Sequence, residues 1–328
     1  MNHRNRPRSG SASRLSRLRE RVRARATNTA TAVIVLGIGL LLSGGCARKT
    51  APLLSYSDGN AEAVRTVLQS GLDTVACGGG PSMGDPSGWA TLSGTFVIDG
   101  APPARAPLSI TKDQDVCAPG GQQVLDESVV IGPSGGIQNV LVFVSSKLPK
   151  DDPKWEHESY LESKFGEVEF DQKNCIFLTH VAAYRATQKV KVLNSDPVGH
   201  NTNIDSKRGA AGGNFTVPAN SFSLYEPGAA SPAPFGVSCS IHPWMKSWMM
   251  ISDNAYFAVT DADGRFEIKY VPAGVELEYR VWQEKSKYLQ QVAVNGQAQK
   301  WSKGKFKLTL SADETHELSV SVNRTVFQ

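Results

Sequence analysis

Cys239-Ser240-Ile241-His242-Pro243-Trp244-Met245 sets a thiol, an imidazole and a thioether at the spacing C-x2-H-x2-M. Upstream, Asn194-Ser195-Asp196-Pro197-Val198-Gly199-His200-Asn201 places a second histidine just after a strand. A loop this short, leaving a strand at its cysteine, brings three side chains to one point at the end of a sheet. His200 completes the set from a neighbouring strand. One thiolate, two imidazoles and a weak thioether are the donors that suit a copper ion cycling between two oxidation states. Zinc in the same cage is less apt, because a thioether is a poor zinc ligand. A two-copper centre needs a second cysteine in the loop, and none is there.

Working outward, short apolar runs are separated by turn residues on both sides of the loop. Val168-Glu169-Phe170, Cys175-Ile176-Phe177, Lys189 to Leu193, Phe215-Thr216-Val217, the alternating Ser221 to Tyr225 and Trp248 to Ile251 all read as strands. No long helical period interrupts them. The reading is all-β, and 328 residues are enough for about two domains.

With these residues in view, 168–252 resembles a cupredoxin, a Greek-key β-sandwich of the blue copper proteins, with an amicyanin-like ligand loop. The resemblance implies one copper ion in a type 1 site. His200, Cys239 and His242 would be its strong ligands and Met245 its weak axial one. It also implies that Asn201, after the first histidine, points its backbone N–H at the thiolate sulfur. Single-electron transfer follows as the expected function, with a redox partner such as a cytochrome c or an oxidoreductase. Two features depart from the pattern. Ser238 precedes the cysteine where aromatic residues are more usual, and the glycine-rich Gly209 to Gly213 is expected to loosen the face below His200.

The flanks form a second set of strands. Thr91 to Ile98, Val129-Val130-Ile131 and Asn139 to Val144 precede the copper-site stretch. Tyr256 to Thr260, Arg265 to Ile268, Leu277 to Trp282, Lys305 to Leu310 and Leu318 to Val322 follow it. Asp261-Ala262-Asp263-Gly264 is expected to close a hairpin, and Val271-Pro272-Ala273-Gly274 to make a second turn. The first of these turns resembles the opening of a calcium-binding loop, but Pro272 stands where that loop needs a glutamate. Residues 256–282 resemble the second half of a carboxypeptidase-regulatory-like, prealbumin-type sandwich, and 92–102 its first half. The arrangement expected is one small sandwich, 89–148 with 254–328, into which 168–252 is inserted at a loop. The alternative is a single extended cupredoxin with added strands at both ends.

The N-terminus follows another rule. Residues 1–25 hold nine arginines against one glutamate, and Ala32 to Leu42 is an apolar run of eleven residues. As a helix the run spans about 16 Å, short of the roughly 30 Å of a bilayer core. With Ser43-Gly44-Gly45-Cys46 after it, residues 1–46 read as a secretory signal. They resemble a bacterial lipoprotein signal in which Cys46 is lipidated, although Ser43 replaces the usual large aliphatic residue; ordinary cleavage nearby is the alternative. The protein is thus expected to be exported, on the periplasmic or cell-surface side, and anchored by lipid to the outer membrane. Residues 47–88 read as a tether with one short helix near 60–71. The chain carries +4 in all, and residues 1–45 carry +8, so the remainder is acidic by about four charges. Nothing in that remainder looks like a phosphate-binding surface, so no nucleic-acid partner is expected.

Export also bears on the cysteines, because extracytoplasmic thiols tend to pair. With Cys46 and Cys239 set aside, Cys77, Cys117 and Cys175 remain, and three cannot all pair internally. Cys117 with Cys175 is the disulfide expected, pinning the inserted stretch to its host. Cys77 with Cys117, or free thiols, are the alternatives. His180 is expected at a surface strand end, and His157 and His316 carry no signal. No nucleophile–base spacing, phosphate loop or paired carboxylates are present, so an enzyme is not expected. Copper delivery or storage, and a structural or adhesive sandwich with a vestigial metal site, are the other classes open to this sequence.

Overall fold

The computed structural model describes residues 84–328. The basic N-terminus, Cys46, the 60–71 helix and Cys77 lie outside them. The described chain begins with β1 (Gly88–Asp99) and β2 (Leu141–Val144). Next come β3 (Glu167–Lys173), β4 (Ile176–Phe177), β5 (Val181–Arg185), β6 (Lys189–Asn194), β7 (His200–Ile204) and β8 (Gly213–Val217). Then follow β9 (Ser221–Tyr225), β10 (Phe235–Ser238), β11 (Lys246–Ser252), β12 (Phe257–Val259), β13 (Arg265–Ala273) and β14 (Glu276–Gln283). The last strands are β15 (Lys287–Tyr288), β16 (Gln291–Val294), β17 (Gln297–Lys300), β18 (Lys305–Thr309) and β19 (Thr315–Asn323). The fold is all-β, as the alternating runs require. Among the described residues no helix is long and apolar enough to cross a membrane.

The strands make four sheets that fall into two groups along the chain. One group has the orders β13-β1-β19-β16-β17 and β12-β2-β14-β15, with β18 also on β14. The other has the orders β4-β3-β6-β9 and β5-β11-β10-β7-β8. The chain thus leaves the first group after β2, completes the second between Glu167 and Ser252, and returns at β12. Each group has its own apolar core. Phe96, Val142, Ile268, Val281 and Val320 are buried in the first. Phe170, Val192, Val237, Met249 and Ile251, drawn from both facing sheets, are buried in the second. Full burial of a side chain such as Phe170 contributes about 1.5–3 kcal/mol.

Several local expectations are corrected. β12 and β13 are not a hairpin: β12 pairs with β2 and β13 with β1, so the Asp261–Gly264 turn hands the chain from one sheet to the other. Gly264 sits there at φ +75°, where a Cβ would come 2.2 Å from the Phe96 carbonyl oxygen, so the close approach requires glycine. The turn expected at Val271–Gly274 starts later, because β13 continues through Pro272 to Ala273. β13 lies at a sheet edge, where a missing N–H costs no ladder bond. Val129 to Ile131 is not a strand, and only Ile131 makes an isolated bridge, to Ile137. The glycines after Ile204 do not loosen the fold. A Cβ on Gly209 would meet the Ala230 carbonyl oxygen at 1.9 Å, so this glycine marks tight packing.

Candidate metal centre

β10 and β11 are antiparallel neighbours, with Ser238 opposite Lys246, so residues 239–245 form the loop between them. The loop is held from within: Met245 N–H donates to the His242 carbonyl at 2.9 Å, and Cys239 N–H to the Met245 carbonyl at 3.3 Å. β7 pairs with β10 on the other side, Ser238 opposite Asn203. His200 opens β7 rather than trailing a strand, and so stands beside the loop.

The fold brings three of the expected donors together. The ligand atoms of His200, Cys239 and His242 all lie within 4.8 Å of one another, and all three side chains are buried. The two Nδ1 atoms face each other at 2.9 Å, and Cys239 Sγ is 3.9 Å from His242 Nδ1. Met245 is buried in the same apolar cluster as Cys239. The outer edge of each ring is fixed. His200 Nε2 is 2.8 Å from Asp196 Oδ2, and His242 Nε2 is 2.8 Å from Asp113 Oδ2. A carboxylate offers only lone pairs, so each Nε2 carries the proton and donates. That arrangement leaves His242 Nδ1 as a lone pair turned inward, the way a carboxylate bonded to one ring nitrogen turns the other toward a metal.

Asn201 brackets the loop. Its Oδ1 accepts the N–H groups of Ser240 at 2.8 Å and Ile241 at 3.2 Å, and its own N–H points at Cys239 Sγ at 3.5 Å. Asn214 accepts from Asn201 Nδ2 at 2.6 Å, which fixes the amide's orientation.

The electrostatics favour a charged cluster. Burial pushes the Cys239 thiol up, but His200 and the N–H groups of Asn201 and His242 outweigh it and bring it down to about 6. Burial pushes the His200 imidazolium down, but Asp196 and Cys239 outweigh it and hold it up at about 9. Burial likewise opposes the Asp196 carboxylate, yet His200 and the N–H groups of Cys175 and Asn174 keep its pKa below the usual value. Both shifts favour a thiolate beside an imidazolium. A soft cation would displace one proton and meet a thiolate and two imidazoles already gathered. The residues present fit such an ion.

Cys117 and Cys175 form a disulfide, with their Cα atoms 4.9 Å apart. It lies against the histidines: both sulfurs come within 4.8 Å of a His242 ring nitrogen, and Cys175 equally close to His200 and Asp196. Bonded sulfurs are not thiolates, so these groupings are no second thiolate site. Trp244 Nε1–H donates to the Cys175 carbonyl at 3.1 Å and joins the loop to the bridge.

Two residues of the site were missed in the sequence. Asp196 is four positions before His200, in a turn that gave a local hint. Asp113 lies 129 residues from His242, and nothing local marks it. His180, expected at the surface, is buried between two glutamates.

No protein-family model matches the chain, and no curated protein matches it. Among solved structures it is similar to a mutant amicyanin in the Cu(I) state, at 17% identity over 26% of this chain and 83% of that one, with a TM-score of 0.23. Another Cu(I) amicyanin mutant matches at 14% identity over 34% of this chain and 98% of that one, with a TM-score of 0.23. A copper-containing nitrite reductase from Thermus scotoductus SA-01 matches at 15% identity, with a TM-score of 0.24. The match covers 26% of this chain and only 22% of the reductase.

Proposed function

We propose that the protein is an exported, membrane-tethered type 1 copper protein that passes single electrons, and that it is not itself an enzyme. The observation that carries this reading is the convergence of His200 Nδ1, His242 Nδ1 and the Cys239 sulfur among buried side chains, with both outer ring nitrogens tied to carboxylates. One copper ion, when bound, would supply a one-electron couple. His200, Cys239 and His242 would hold it, with Met245 as the axial thioether. The carboxylates keep both rings in place, the Asn201 N–H offsets charge on the sulfur, and burial excludes water. A cage held this firmly from outside changes little between oxidation states, which suits transfer rather than substrate chemistry. Export and the lipid anchor on Cys46 rest on the sequence of residues 1–46. A cytochrome c or an oxidoreductase is the partner class that a one-electron carrier serves.

The test is made on purified protein: copper stoichiometry, the visible spectrum and voltammetry. One copper per chain, an intense thiolate-to-copper band and a reversible one-electron wave are expected. Copper uptake without a reversible wave would turn the reading to metal handling, and no uptake would turn it to a structural role.

A further inference from the structure

The second histidine of the site is held by a residue far away in sequence, from a segment whose Ile110, Val116 and Cys117 pack into the same apolar core as Cys239. Asp113 lies in the segment between β1 and β2, directly before the short helical turn Gln114–Cys117. Its Oδ2 is 2.8 Å from His242 Nε2, and the His242 side chain has no solvent exposure while that of Asp113 is one-third exposed. Asp113 adopts φ 48° and ψ 43°, a left-handed conformation unusual outside glycine. The turn is braced on the C-terminal side of this residue. Val116 N–H and Cys117 N–H both donate to the Asp113 carbonyl, at 3.0 and 2.9 Å, and Cys117 is bonded to Cys175. Cys175 N–H in turn donates to Asp196, the carboxylate that holds His200. One disulfide therefore anchors both carboxylates that face the two rings.

We propose that Asp113 is a positioning residue for His242: from the segment between β1 and β2 it fixes the ring as the Nε2–H tautomer, turns Nδ1 inward as a donor, and tunes the metal that Nδ1 meets. The part about the metal rests on the copper reading above; the part about the tautomer does not. A carboxylate behind an imidazole strengthens it as a donor, and more so toward the more highly charged ion. Removing that charge should weaken binding of Cu(II) more than of Cu(I). The same contact seals the ring edge that a surface loop would otherwise leave open.

The experiment uses the full chain, with Asp113→Asn, Asp113→Ala and Asp115→Asn as variants. Asp115 shares the turn and makes no contact with His242, so it controls for damage to the turn. In metal-free protein, nitrogen NMR should show His242 as the Nε2–H tautomer in the wild type, the Asn variant and the control, and as a mixture in the Ala variant. With copper, Asp113→Asn should keep the visible band and lose about tenfold in Cu(II) affinity relative to Cu(I), which raises the midpoint by about 59 mV. Asp113→Ala should lose about 10- to 100-fold in copper affinity. A wild-type His242 in the Nδ1–H form, or an Ala variant with unchanged tautomer and midpoint, would overturn the proposal. If the wild type takes up no copper, the copper reading fails, and the tautomers alone still decide the role of Asp113.

Discussion

His180 Nε2 stands 2.6 Å from the Glu284 carboxylate, across 104 residues of chain, and so ties the turn before β5 to the end of β14. Glu127 flanks the other ring nitrogen at 3.6 Å, an ion-pair separation rather than a hydrogen bond. Both glutamates come from the sandwich that holds β1 and β14, and the histidine from the sandwich that holds the candidate metal centre. Burial alone would push this imidazolium down, but Glu127 and Glu284 outweigh it and hold it up at about 9.

The sign of the resulting pH dependence follows. The histidine binds its proton more tightly folded, at about 9, than unfolded, at about 6.5. Its stabilisation is complete below about pH 6.5 and is lost as the pH rises through 9. The gap corresponds to something on the order of 3 kcal/mol. Urea unfolding of wild type and His180→Gln, compared at pH 6.5 and at pH 9.5, should show a large difference at the lower pH and little at the higher. Because the difference is taken at each pH, the titrations of His200 and Cys239 cancel. A gap that stays constant or widens with pH would show that this pair is not the latch.

Cys239→Ser should abolish the coloured site and leave the fold. Serine is nearly isosteric, and the loop is held by backbone bonds and by Asn201, none of which needs the sulfur. Its hydroxyl supplies no thiolate, on which the visible band depends. Circular dichroism should match the wild type while the band is missing. A copper-loaded, coloured Cys239→Ser protein would remove Cys239 from the ligand set.

Met245→Leu should keep copper and the band but raise the midpoint potential. Met245 is buried, and leucine is close to it in volume, so the packing cost stays below about 1.5 kcal/mol. A thioether stabilises the oxidised ion weakly, and its loss favours the reduced one. Voltammetry of the two proteins reads the shift directly. An unchanged midpoint would assign the axial position to another group.

Parts of this molecule are legible in its sequence for a physical reason. Asn139 to Val144 betrays β2 because a strand covered on both faces must be apolar throughout. Cys239, His242 and Met245 can be read together because they share one short loop. β7 escapes notice for the opposite reason. Its buried positions include His200, Asn201 and Thr202, so polar groups serving the site occupy places where an apolar period would show. β16 and β17 carry a single local mark, Asn295-Gly296 between them with φ 49° and 80°, the left-handed pair that a two-residue hairpin turn needs. β17 is exposed at all four residues, so no apolar alternation marks it. Asp113 is the extreme case, since its partner is distant in sequence and only the tertiary fold brings them together.

Replacing both Cys117 and Cys175 by serine should destabilise the protein and disturb the metal centre together. The bridge spans 58 residues and joins the segment between β1 and β2 to the turn before β4. In the chain-entropy treatment, closing a loop of that length is worth about 4 kcal/mol. The bridge also holds the turn that carries Asp113 and the backbone N–H that supports Asp196, so its loss frees both carboxylates behind the rings. Urea unfolding should show a midpoint well below that of the wild type. Copper binding, measured under conditions where both proteins remain folded, should be weaker in the variant. Reduction of the native protein under mild conditions should reproduce the loss of stability, which separates loss of the cross-link from the cost of burying serine. A variant with lower stability but unaltered copper affinity would confine the disulfide to the scaffold. Unaltered stability would show that β3 to β11 are held to the other strands by packing and ion pairs alone.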